Sequence, residues 1–65
     1  MKKPHTLRRF RKLHHLTQDQ LFARSGISQA RISRLEIGNV QPSPRERVAL
    51  THALKVPAEI LFPEA

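Results

Sequence analysis

Sixty-five residues carry twelve Lys or Arg against five Asp or Glu, a formal charge of +7, and no cysteine. A chain of this length makes one domain with no room for a second, and it hides only about 60% of the surface its unfolded form exposes, so its core must be economical. Disulfides and thiolate metal sites are excluded, leaving helix packing as the source of stability. No apolar run approaches the roughly 20 residues that span a bilayer, and no apolar segment follows Met1-Lys2-Lys3, so the expectation is an intracellular protein with no membrane partner.

In chain order, residues 1–5 predict a loose basic arm. A first helix is expected from about Leu7 to His14, with Thr6 as its N-cap. At about 100° per residue Leu7, Phe10, Arg11 and His14 share one face, so Arg11 sits on the side to be buried and needs a partner. Thr17-Gln18-Asp19-Gln20 has the form of a capping box and starts a second helix, which Gly26 ends by taking the left-handed conformation. A third helix starts on Ser28 and stops near Ile37, with Gly38 just beyond. After the loop Asn39 to Pro42, Ser43-Pro44-Arg45-Glu46 joins a second capping box to a first-turn proline, opening a fourth helix that runs to about Leu54. Residues 57–62 make a short last helix that Pro63 halts, and residues 63–65 are a short tail. The fold class is therefore all-α.

Residues 17–36 are the most informative stretch: two short helices joined by a tight glycine turn, an arrangement able to offer the second helix to a DNA groove. Gln29, Ala30, Ser33, Arg34 and Ile37 fall within an arc of about 140°, while Ile32 and Leu35 point the other way as core anchors. Gln pairs bidentately with adenine, Arg with guanine, and a short apolar side chain suits a thymine methyl, so Gln29, Ala30, Ser33 and Arg34 are the candidate base-reading residues. An ordinary polar outer face is the competing explanation; the glycine turn and the basic field together weigh against it. Residues 1–34 hold nine Lys or Arg and one acid, whereas residues 35–65 hold three bases and four acids, so the cationic half contains the helix pair. The helix starts at Thr17 and Ser28 can receive phosphates, helped by Gln18, and Arg31 and Arg45 are cationic candidates. Arg8, Arg9 and Lys12 serve equally well as solvent charges. Glu36 lies on the inner edge of the third helix and Arg11 on the inner face of the first, which predicts a partly buried structural ion pair.

The four histidines lack metal-ligand spacing, and no acid pair, nucleophile motif or Gly-rich phosphate loop is present; no enzyme activity, cofactor or metal is expected.

The ordered pattern L-x2-F-R-x4-L-T-Q-x2-L-x4-G-I-S-x3-I-S-R-L-E-x-G, followed by P-S and A-L-x-V, resembles the helix-turn-helix family of phage repressors and Cro proteins, also called the Xre family. The resemblance covers about residues 7–62. It implies a compact five-helix, lambda-repressor-like DNA-binding domain over residues 6–62, with helices 2 and 3 as the motif. It further implies a phosphate-contacting role for Gln18, base-reading roles for Gln29, Ala30 and Arg34, and a buttressing charged pair at Arg11 and Glu36. Phe22 departs from the family's usual alanine between helices 2 and 3, where a ring must displace something and so bears on the angle between them. His15 and Lys55 replace common glycines and are strained if left-handed, and Ile37 and Arg47 invert the usual polarity at their sites.

The expectation from residues and resemblance together is a transcriptional repressor, nucleoid-associated in the cytoplasm, binding double-stranded DNA in the major groove as a homodimer on a near-palindromic operator. Available dimer surfaces are the last helix, Phe62 and the Ile37–Val40 loop, although Ile37 and Val40 serve equally as a folded-back loop contact. The alternative is a protein-interaction module, such as an antitoxin holding its toxin or a regulator's partner, with or without DNA binding. Membrane association through the cationic first helix is a distant third.

Overall fold

The computed structural model describes residues 6–63. The basic arm expected for residues 1–5 and the end of the tail, residues 64–65, lie outside the described residues. Five helices follow in order: α1 (Thr6–Leu13), α2 (Gln18–Ser25), α3 (Gln29–Ile37), α4 (Pro44–Leu54) and α5 (Ala58–Leu61). The described residues contain no strand.

Local chemistry sets most of these boundaries. The Thr17 hydroxyl accepts the Gln20 N–H at 3.0 Å while the Gln20 side chain accepts the Thr17 N–H at 2.8 Å, so two orphan donors at the start of α2 are satisfied reciprocally. Ser43 and Glu46 repeat this at α4, with Pro44 at its first position. Gly26 (φ 77°) and Gly38 (φ 89°) end α2 and α3 in the left-handed region. Space is not the reason for glycine at position 26, since a Cβ there meets nothing within 4 Å; the positive φ is. His15 (φ 57°) and Lys55 (φ 59°) adopt the same conformation after α1 and α4 without the glycine, at a cost of roughly 1–2 kcal/mol each.

Two features of α1 differ from expectation. Thr6 is the first helical residue rather than a cap, and His14 is exposed in the turn that follows Leu13 instead of continuing the inner face. The helix ends a residue early because the chain must bend at His15 to bring Leu16 into the core.

Leu7, Leu16, Leu21, Ile27, Ile32, Leu35, Leu50, Leu54, Val56, Leu61 and Phe62 form one buried cluster to which every helix contributes. Helix α3 packs on α1 and α2, α4 on α2 and α5, and α5 on α1, closing a ring around the cluster. Phe62 is part of this core, only 5% exposed, which corrects its expected availability for a dimer contact. Its ring also lies 5.9 Å from the Arg47 guanidinium, a partner for a charge that the sequence places against the usual polarity. The Ile37–Val40 loop divides: Val40 folds back against the core, and Ile37 stays 58% exposed.

Buried among these apolar side chains are two charges, Arg11 (8% exposed) and Glu36 (6%). Arg11 donates from Nε and Nη2 to the two Glu36 carboxylate oxygens, the second at 3.2 Å, and from Nη1 to the Leu16 carbonyl at 2.7 Å. The fork geometry joins α1 to α3 and to the turn between α1 and α2. Arg11→Met should lower stability by about 3–5 kcal/mol in urea unfolding, because Glu36 is left buried and unpaired. The double substitution Arg11→Met/Glu36→Leu should recover much of that loss. A single substitution as mild as the double would contradict the ion-paired core.

Candidate nucleic-acid interface

Helix α3 turns Ile32, Leu35 and Glu36 inward, and Gln29, Ala30, Arg34 and Ile37 outward, with Ser33 half-buried between them. The side chains of Gln29 and Arg34 make no hydrogen bond or ion pair among the described residues. The Ser28 hydroxyl caps the helix by accepting the Arg31 N–H at 3.2 Å, which leaves the other first-turn N–H groups directed out of the helix start. Gly26 orients that start by turning the chain within three residues of the end of α2.

Two polar depressions lie at opposite ends of α3. One, by its C-terminal half, is lined by Arg8, Arg11, Gln18, Ser33, Glu36 and Ile37, so the buried ion pair is its floor. Gln18 is half-buried there, donating from Nε2 to Glu36 Oε1 at 3.1 Å. Its amide is thus held by the ion pair and does not extend freely from the helix start. The other depression, at the N-terminal end, includes Gly26, Ser28, Arg31, Ser43, Arg45 and Glu46. Arg45 is exposed on it, next to the capped start of α4.

Arg31, expected as a cationic candidate for phosphate contact, has internal partners. Its Nε and Nη2 donate to the Glu46 carboxylate at 2.7 and 3.0 Å, and Nη2 also reaches the Gln41 carbonyl at 3.1 Å. Arg31 clamps α3 to α4 and the loop between them, and its charge is neutralised internally. The Arg31 hydrogen bond first, then the Ser43 backbone, holds the Glu46 carboxyl below the ordinary carboxylate range, against the opposing effect of burial.

Arg8 is the residue that sequence reasoning left undecided and the structure places. It lies one turn before Arg11 on α1 and enters the same depression as Gln18 and Ser33. The i, i+3 spacing from Arg11 was the signal available. Thr17, by contrast, has its hydroxyl oxygen committed to the cap of α2.

A helix pair joined by a glycine turn, with the outer face of the second helix free and polar depressions at both its ends, is the geometry of a DNA-reading motif. A family model described as helix-turn-helix matches residues 7–61. The chain belongs to the Xre/Cro-like helix-turn-helix family. No curated protein and no solved structure matches it significantly. As a family, these helix-turn-helix proteins are DNA-binding transcription regulators and generally non-enzymatic. Among the described residues no His, Cys, Asp or Glu cluster is suited to a metal ion, and no helix is long and apolar enough to cross a membrane.

The Arg31–Glu46 pair has a measurable pH signature. A carboxyl whose folded pKa is depressed contributes stability that is present above its unfolded pKa and is lost as pH falls through the folded value. Wild type should therefore lose more stability than Glu46→Gln on acidification below the ordinary carboxylate range, so their denaturation midpoints converge. Parallel midpoint curves would show that the clamp contributes nothing.

Proposed function

We propose that this helix-turn-helix protein is a transcriptional repressor that binds double-stranded DNA sequence-specifically through the major groove, as a homodimer on a near-palindromic operator. The observation that carries the proposal is the division of labour among its cations: Arg11 and Arg31 are consumed inside the fold, whereas Arg34 shares the outer face of α3 with Gln29 and Ala30 and has no internal partner. An unpaired guanidinium and a carboxamide on adjacent turns match the major-groove edges of guanine and adenine, each good pair worth roughly 1–3 kcal/mol of discrimination. Ala30 fits close approach or a thymine methyl, and Ser33 a further polar contact at the edge of the arc.

Phosphates would be held at the two ends of α3. At one end the N–H groups starting α2 lie with Gln18, whose second amide proton is not used by Glu36, beside Arg8. At the other the start of α3 lies beside Arg45. Thr17 and Ser28 contribute as caps that fix those helix starts. Arg31 acts indirectly, by holding α3 on α4.

One α3 arc covers only a few base pairs, so a second copy doubles the site, with half-sites about one helical turn apart, roughly 34–36 Å. Of the surfaces expected for that contact, Ile37 and Ile60 of α5 stay exposed once Phe62 and Val40 are accounted for, and Val48 on α4 adds a further exposed apolar side chain.

Selection of bound duplexes from a random pool tests the whole proposal. Two inverted half-sites should emerge, and binding should weaken with salt at a log–log slope of about −7 if each subunit neutralises about four phosphates. Arg34→Ala should relax base preference at one position of each half-site, whereas Gln18→Ala should weaken all duplexes alike. Enrichment of no sequence, with equal competition by any duplex, would refute specific recognition.

A further inference from the structure

Phe22 lies on α2 with 44% of its surface exposed, although the other two phenylalanines are half-buried (Phe10) or buried (Phe62). Helix geometry fixes the side on which it emerges. Leu21 points to the core, and Phe22 is about 100° further round the helix. Gln18, one turn earlier and only about 40° from Phe22, reaches α3 at Glu36. Moving round α2 from the core, the order is therefore Leu21, then the line of contact with α3 marked by Gln18, then Phe22. The ring stands beyond that line, at the outer mouth of the crevice between α2 and α3.

Along the crevice its level is also fixed. Gln18 meets Glu36 at the open end, and the Gly26 turn closes the other end, with the Gly26 N–H bonded to the Phe22 carbonyl at 2.8 Å. Phe22 falls between these limits, facing the part of α3 that carries Gln29 and Ser33. The exposed arc of α3 opens on this same side, away from Ile32 and Leu35. A half-exposed phenyl ring thus stands on the side of the motif where the arc of α3 carrying Gln29 and Arg34 is also exposed.

Resting on the DNA-binding proposal above, we propose that Phe22 is a specificity-determining residue that packs against a thymine 5-methyl group at the edge of each half-site. The thymine methyl is the apolar feature a base pair offers in the major groove, and an aromatic side chain is among its matching contacts. The ring adds no hydrogen bond, so it selects thymine by excluding water from the methyl group. A cytosine, which lacks the methyl, leaves the ring exposed.

Replacing thymine by deoxyuridine deletes the methyl and leaves the pairing edges intact, so fluorescence anisotropy with duplexes substituted one thymine at a time provides the test. The wild-type protein should lose about fourfold in affinity per half-site at one thymine, the worth of one buried methyl-sized group. Phe22→Ala should bind thymine and deoxyuridine duplexes equally at that position, while keeping the base preference that Arg34 sets elsewhere. Phe22→Leu, which preserves an apolar contact, should retain part of the sensitivity, and melting curves of both variants check that they are folded. The proposal is overturned if Phe22→Ala keeps the wild-type methyl sensitivity, or if Ala30→Gly abolishes it instead. Failure of the underlying DNA-binding proposal is distinct, because the wild-type protein would then prefer no duplex before any variant is compared.

Discussion

The paired charges of Arg11 and Glu36 are the constraint on which the rest of the molecule depends. One guanidinium holds three separate pieces of chain: its own helix α1, the Leu16 carbonyl in the following turn, and Glu36 on α3. The turn it braces contains His15 in a left-handed conformation that favours glycine, and the Arg11–Leu16 bond offsets part of that strain. A buried pair of this kind adds little net stability over an apolar replacement, since both ions lose water. Its effect here is orientational. Rotating α3 about its axis would drag Glu36 out of a bidentate fork, and the fork leaves few acceptable alternatives. The outward arc of Gln29, Ala30 and Arg34 is therefore set from the inside.

Arg31 and Glu46 add a second restraint from the opposite side. Glu46 serves two tasks at once, closing the capping box of α4 through Ser43 and receiving Arg31 from α3. The start of α4, and with it Arg45, is consequently referenced to α3 and not merely to the loop. This pair is more exposed than the buried one, so solvent and salt screen it and its contribution is smaller. Between them the two pairs hold α3 on both flanks. A helix-turn-helix domain with so small a core needs such restraint, because eleven buried apolar side chains alone constrain helix rotation weakly.

Much of this was legible in the sequence where the controlling chemistry is local. Thr17 with Gln20, Ser43 with Glu46, and the glycines at 26 and 38 act within four residues of themselves, and helices start and stop beside them. The Arg11–Glu36 pairing was legible too, because each charge interrupts an apolar face and only the other can satisfy it. The Arg31–Glu46 pair was not legible, for the opposite reason: Arg31 lies on the flank of its helix, where an exposed cation looks complete, and its partner is fifteen residues away on another element. Phe62 was misjudged because a terminal aromatic beside a proline carries no periodicity to mark it as core, and only the closure of α5 on α1 and α4 buries it. The roles of Gln29, Ala30, Ser33 and Arg34 toward bases rest on pattern and on exposure, since a ligand-facing side chain has no internal partner to betray it.

The field around the motif follows from the same division of charges. Arg11 and Arg31 are neutralised in place, so neither adds a free positive charge at the surface, although both lie close to the two depressions at the ends of α3. Among the outward cations of α1 to α4, Arg8 lines one depression, Arg45 lines the other, and Arg34 stands on the outer face of α3, while Arg9, Lys12 and Arg24 are exposed as well. Cations spread over several elements attract a polyanion along their line, whereas the same charges gathered at one point would attract it in many orientations. Internal pairing thus sharpens the surface field as it orders the core: each arginine spent inside removes a charge that would have blurred the pattern outside.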